Sequence, residues 1–205
     1  MNKEELNIEE QLFAEMKRAK AGTLFFPEQF SDFAESTAIR KALQRLTEDG
    51  NIVRVAQGIY VIPKESSLVG KVIPGAEEVA AAIAKRDRAR IVPTGVHALN
   101  ILGLSTQVPM RVVYLTDGAA RKVRVGKQTI NFKRTTPKNL AAQGHISSLV
   151  IQALKTIGKS KVEESELKKI IAQLKKEKRE YILHDSKLAP AWVAAIMKKA
   201  LTIDE

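Results

Sequence analysis

Apolar residues return every three or four positions at the start of the chain and every second position in several later stretches. This change of period lays out the architecture. Ile8, Leu12, Phe13 and Met16 form one stripe within residues 7–20, with Glu9, Glu10, Glu15 and Lys17 outside it, which predicts an amphipathic first helix. Ala21-Gly22-Thr23 breaks that helix, Leu24-Phe25-Phe26 reads as a short strand or staple, and Pro27 can open a brief second helix through Phe30 and Phe33. Ser36 reads as the N-cap of a third helix, whose inward stripe Ile39, Ala42, Leu43 and Leu46 ends at Asp49-Gly50. Two β-rich runs, 52–55 and 59–62, flank Ala56-Gln57-Gly58 and predict a hairpin. Three helices followed by a hairpin is the order of a winged helix-turn-helix, which residues 1–68 are expected to form.

Residues 64–74 read as a connector, and residues 69–205 as a second domain. A helix is predicted over 76–86, a short strand over 90–92, and a helix over 95–104 with Thr94 as its cap. Strands over 111–116, 121–125 and 129–134, with turns at Asp117-Gly118 and Gly126-Lys127, predict an antiparallel meander. Helices follow at 146–157, 163–177 and 190–201. The last two are expected to pack on the meander and close its core. The fold class is α+β, with an N-terminal winged helix-turn-helix followed by an α+β domain with a meander and C-terminal helices.

Composition narrows the chemistry. Of 205 residues, 44% are hydrophobic and 28% charged, which suits globular domains rather than disorder. There is no cysteine, which removes disulfides, thiol catalysis and thiolate-bound zinc. His97, His145 and His184 stand apart at no metal-ligand spacing, so neither a metal nor another cofactor is expected. The polar start of the chain and the lack of a long apolar run predict a cytoplasmic protein with no membrane partner.

The net charge of +11 is unevenly distributed. Residues 1–68 carry nine basic and eleven acidic side chains, residues 69–140 thirteen and four, and residues 141–205 twelve and eight. The middle third carries the field that would attract a polyanion.

In a winged helix the third helix enters the major groove and presents its outward side chains to the bases. Here those are Thr37, Arg40, Lys41, Gln44 and Arg45. Arg40 and Gln44 lie one turn apart, and arginine can pair bidentately with guanine and glutamine with adenine. Ser36, Thr37 and Lys41 suit phosphates at the helix start, and Arg54 and Gln57 belong to the wing. A second basic set comprises Lys85, Arg86, Arg88, Arg90, Arg121, Lys122, Arg124, Lys133 and Arg134, joined by Arg111 and Lys127. Lys122 and Arg124 alternate with Val123 and Val125, giving a strand one charged and one apolar face. The alternative for both sets is a solvated basic surface. For enzyme chemistry the sequence offers little: His97 lies one turn into a helix with no nucleophile or carboxylate at a telling spacing, and reads better as a satisfied, partly buried histidine.

The run Ser36-Thr37-Ala38-Ile39-Arg40-Lys41-Ala42-Leu43 with Leu46, then Gly50-Asn51-Ile52-Val53-Arg54-Val55 and Gly58-Ile59-Tyr60, resembles the winged helix of AbiEi-type antitoxins of type IV toxin-antitoxin systems. The resemblance continues through residues 93–104, Pro-Thr-Gly-Val-His-Ala-Leu-Asn-Ile-Leu-Gly-Leu, and 112–116, Val-Val-Tyr-Leu-Thr, and spans roughly 5–140. It implies a non-enzymatic protein whose winged helix represses its own operon on duplex DNA and whose downstream domain counters a nucleotidyltransferase-like toxin. Two other readings stay open. One is a transcription factor with a ligand-sensing or dimerising second domain, the other an RNA-binding protein using the basic middle region.

Overall fold

The computed structural model describes residues 7–202. Contacts divide the chain into two units, one running to Ala82 and including Val123–Lys127, the other comprising Ile83–Lys122 and everything from Gln128 onward. The fold is mixed α+β, with eight α-helices and several sheets among the described residues.

In the first unit, α1 (Ile8–Arg18) opens with the Asn7 N–H donating to the Glu10 carboxylate at 3.1 Å. Its buried residues are Leu12 and Met16. After β1 (Leu24–Phe25), Pro27–Phe30 forms one 3-10 turn rather than a helix reaching Phe33. The Gln29 side-chain oxygen accepts the Phe26 N–H at 2.9 Å, and the Phe30 ring drops into the core against Phe25. Helix α2 (Ser36–Glu48) buries Ile39, Ala42, Leu43 and Leu46. Its cap is Glu35, with extended backbone, so Ser36 is the first helical residue rather than the N-cap. At the other end Gly50, at φ +74°, lets the Asn51 N–H reach Leu46 O and the Gly50 N–H reach Thr47 O. That pair of bonds stops the helix by a left-handed turn that glycine tolerates without Cβ strain.

Strands β2 (Val53–Ala56) and β3 (Ile59–Val61) then form an antiparallel hairpin, and β1 adds to β3 in the order β1-β3-β2. The core gathers Leu12, Met16, Phe25, Phe30, Ile39, Leu43, Leu46, Ile52 and Tyr60. Each large apolar side chain buried here contributes about 1.5–3 kcal/mol. That burial fixes which side of α2 is left facing outward.

The stretch read as a plain connector carries structure. β4 (Lys64–Ser66) and β5 (Gly70–Val72) pair antiparallel, and Leu68 and Val69 stand exposed at the tip. Next comes α3 (Ala76–Arg86), in which the division between units falls after Ala82.

The sheet of the second unit corrects the expected meander. Its order is β6-β7-β9-β8, from β6 (Ile91–Thr94), β7 (Arg111–Thr116), β8 (Arg121–Val125) and β9 (Gln128–Arg134). β6 and β7 are antiparallel, but β7 and β9 run parallel, with Val112 opposite Ile130 and Tyr114 opposite Phe132. Two physical effects select this arrangement. Ile130 and Phe132 are buried, and a place inside the sheet covers them, whereas the basic strand β8 suits an edge, where charge discourages further pairing. The Asp117-Gly118 turn also points the chain away from a simple hairpin: the Asp117 carboxylate accepts the Arg90 N–H and pairs with its guanidinium, both at 2.8 Å, just ahead of β6.

The helices also depart from expectation. Helix α4 (Val96–Ile101) is capped by Gly95, because Thr94 still belongs to β6. Around α5 (His145–Ile157), which buries seven residues, pack α4, α6 (Glu164–Leu174), α7 (Arg179–Ser186) and α8 (Ala191–Lys199). Their shared core contains Ala98, Leu149, Leu154, Ile170, Leu174, Ile182, Val193 and Met197. The C-terminal helices therefore close on α5 and not on the sheet, since α5 is apolar on too many sides to leave one open. Helix α7 has no counterpart in the sequence reading. It buries Asp185, whose two oxygens accept the N–H groups of Gln143 and Gly144 at 2.9 and 2.8 Å. No helix among the described residues is long and apolar enough to cross a membrane.

Candidate nucleic-acid interface

Burial of Ile39, Leu43 and Leu46 turns Ser36, Thr37, Arg40, Lys41, Gln44 and Arg45 outward, and all six are exposed. They are not equivalent. Arg45 donates to the Glu9 carboxylate on α1 at 2.7 Å, and that bond raises its guanidinium above its ordinary pKa. Its side chain is thereby drawn across to α1. Gln44 donates to Glu48 at 2.8 Å one turn later on the same helix, and Arg40 lies 3.5 Å from the Ser36 hydroxyl. Thr37, Arg40, Lys41 and Gln44 thus remain as the outward polar ridge, with the two cationic side chains adjacent. On the hairpin, Arg54 is exposed opposite Tyr60, and Gln57 is exposed in the turn, beside an irregularity in register between Arg54 and Ala56.

The second basic set is split by two carboxylates that the sequence reading passed over. Asp87 bonds Arg86 Nε at 2.8 Å and also holds the Arg121 guanidinium. Arg121 sits over the Phe132 ring at 5.6 Å, and burial, then the nearby Arg86 charge, lowers its pKa. Arg90 is taken by Asp117, whose carboxyl is held below the ordinary carboxylate range by those two bonds. Three of the arginines named as candidate contacts therefore already have acidic partners. The signal was present in the sequence, because Asp87 and Asp117 are half of the four acids in residues 69–140.

Lys85, Lys122, Arg124, Lys127, Lys133 and Arg134 are exposed, as is Arg111. On β8 the alternation holds, with Lys122 and Arg124 exposed and Val125 buried. Arg88 is exposed as well and has φ +52°, a left-handed conformation that no other described non-glycine residue adopts. It occupies the second position past the end of α3, where the Ala89 N–H bonds Ala84 O and the Arg88 N–H bonds Lys85 O. Glycine is the residue that this turn favours.

His97 is buried, with Nε2 3.1 Å from the Tyr114 hydroxyl and the two rings edge to face. Among the described residues no group of three or more histidine or acidic side chains is placed to hold a metal ion.

A family model described as a family of unknown function (DUF6088) matches residues 11–182. The chain belongs to this family. The DUF6088 match begins within α1 and ends within α7, so it takes in α2, both basic sets and the four-stranded sheet. The curated proteins contain no match to the chain.

Proposed function

We propose that this protein is a DNA-binding transcriptional regulator whose first unit acts as a winged helix-turn-helix. One observation carries the reading: α2 is locked into the core by Ile39, Leu43 and Leu46 while Thr37, Arg40, Lys41 and Gln44 line its exposed side. A rigid helix with a hydrogen-bonding ridge is what major-groove readout needs. The hairpin β2–β3 follows directly, with Arg54 and Gln57 positioned as a wing for backbone or minor-groove contact. The unit's slight acidic excess does not oppose this, because the charge placed locally on the ridge, Arg40 beside Lys41, matters more to a polyanion than the unit's total.

The resemblance of residues 36–60 and 93–116 to AbiEi-type antitoxins extends the proposal. The protein represses its own operon, and its second unit counters a nucleotidyltransferase-like toxin without chemistry of its own. The test is binding of the purified chain to its own upstream DNA and to scrambled DNA of equal length, at two salt concentrations. A preference of roughly a thousandfold for the upstream DNA, retained as salt rises, supports sequence-reading repression. Equal binding that collapses with salt reduces the interaction to phosphate attraction and overturns the proposal. Growth rescue on co-expression with a neighbouring toxin tests the antitoxin part separately.

A further inference from the structure

We propose that the open face of the four-stranded sheet, on its β7, β9 and β8 side, docks on the phosphate backbone of duplex DNA without reading sequence. The proposal rests on the reading of α2 for its choice of partner, and adds a second contact surface for it. The parallel register sets Arg111 beside Thr129, Val113 beside Asn131 and Leu115 beside Lys133, and these alternate with the buried Val112, Tyr114, Ile130 and Phe132. They therefore share one face of the sheet. Arg121 sits over the Phe132 ring on the opposite face, so Lys122, the next residue of β8, returns to the side of Asn131 and Lys133.

The two faces are finished differently. Ile83 and Ala84 at the end of α3 line a small cavity together with Phe132 and Arg121, which covers the apolar face. On the other face the Thr94 hydroxyl, opposite Val113 in register, donates to Gln152 of α5, and the contacts of α4 and α5 with the sheet fall on β6 and β7. Arg111, Lys122 and Lys133 stay exposed there, and none of the three has an acidic partner among the described residues. Strands β7, β8 and β9 contain no acidic residue, and Asp87 and Asp117 are engaged with Arg86, Arg121 and Arg90. A face of cations and neutral donors, Thr129 and Asn131, with no acid to repel a polyanion, complements phosphate. At ~3.3 Å per residue the row from Arg111 and Thr129 to Lys133 runs about 13 Å, the axial length of about four phosphates of one DNA strand. The aromatic rings of the sheet, Tyr114 and Phe132, stack on the covered face, which leaves unpaired bases nothing to stack on and selects duplex over single strand.

The experiment measures binding of the full chain to a scrambled DNA duplex by fluorescence anisotropy across a salt series, with a single strand of the same length alongside. Lys122→Met/Lys133→Met should lower the slope of log affinity against log salt by about 1.8, the share of two phosphates, and weaken binding roughly tenfold at the lowest salt. Asn131→Asp adds a carboxylate to the face with little change of shape and should weaken binding as well. Lys198→Met/Lys199→Met removes the same charge from exposed positions of α8 and should keep the wild-type slope. An unchanged slope in the Lys122/Lys133 variant, an equal drop in the α8 variant, or tighter binding of the single strand than of the duplex overturns the proposal. The reading of α2 stands or falls separately, on preference for upstream over scrambled duplex, which the sheet variants should leave unchanged. A chain without that preference that still loses slope in the Lys122/Lys133 variant would remove the α2 reading and leave the sheet contact standing.

Discussion

Glu9 of α1 holds Arg45 of α2 at 2.7 Å, and this pair divides the outward side of α2 into an end tied to α1 and a ridge where Arg40 and Gln44 bond only within α2 itself. Arg45 serves the helix pair, whereas Arg40 and Gln44 are exposed one turn apart and are the base-contacting pair of the proposed DNA reading. Replacing Arg40 and Gln44 together by alanine should cost ~1–3 kcal/mol of discrimination per lost base contact while the thermal melt stays near wild type. Arg45→Ala should leave operator preference intact. Equal loss of preference in both variants, measured by competition binding, would show that the tether does not set Arg45 apart.

Under the proposed DNA reading Lys41 and Thr37, in the first half of α2, meet phosphate and not base edges, so the Lys41 contribution is electrostatic rather than sequence-reading. Lys41→Met should weaken binding to specific and scrambled duplexes alike, and lower the slope of log affinity against log salt by about 0.9. A change confined to the specific duplex would move Lys41 to the base-contacting set.

Arg88 stands at φ +52° in a turn that glycine fills without strain. Arg88→Gly should therefore stabilise the fold by ~1 kcal/mol, raising the melting temperature by roughly 2–4 °C. A lower melting temperature would mean that the arginine side chain contributes more to folding than its backbone conformation costs.

Asp117 ties Arg90 and the start of β6 to the end of β7, and its pKa lies below the ordinary carboxylate value because the Arg90 side chain and N–H both favour the charged form. The contribution is complete above the unfolded carboxylate pKa of ~3.9 and is lost as pH falls through the lower folded value. Asp117→Asn should be less stable than wild type at neutral pH, with the gap in urea midpoint closing in acid. A gap that stays constant with pH would show that the carboxylate charge plays no part.

Asp185 is fully buried and satisfies the N–H groups of Gln143 and Gly144 just before α5. Asp185→Ala should cost roughly 3 kcal/mol by leaving those donors unpaired. Denaturant unfolding checks it, and a loss below about 1 kcal/mol would mean that water replaces the carboxylate.

The sequence by itself determined those elements whose residues carry their own instructions. The stripes of α1 and α2, the Asp49-Gly50 stop, the hairpin around Gln57 and the alternation of β8 all follow from local periodicity and turn chemistry, and α3 and β7 appear at their predicted limits. The exposure of the α2 ridge follows from the same stripe. What local pattern could not supply was the choice among long-range partners. Strands 111–116, 121–125 and 129–134 satisfy a meander as well as they satisfy the order β7-β9-β8, and only burial of Ile130 and Phe132 together with the Asp117–Arg90 tie decides between them. Helix α7 was hidden for a related reason: Asp185 is buried, and a reading that sends charge outward cannot place it until the N–H groups of Gln143 and Gly144, more than forty residues earlier, are brought beside it. The pairing of Arg45 with Glu9 and of Arg121 with Asp87 likewise spans more than thirty residues. Sequence distinguishes inside from outside along one element, but which charges neutralise one another depends on elements meeting in space.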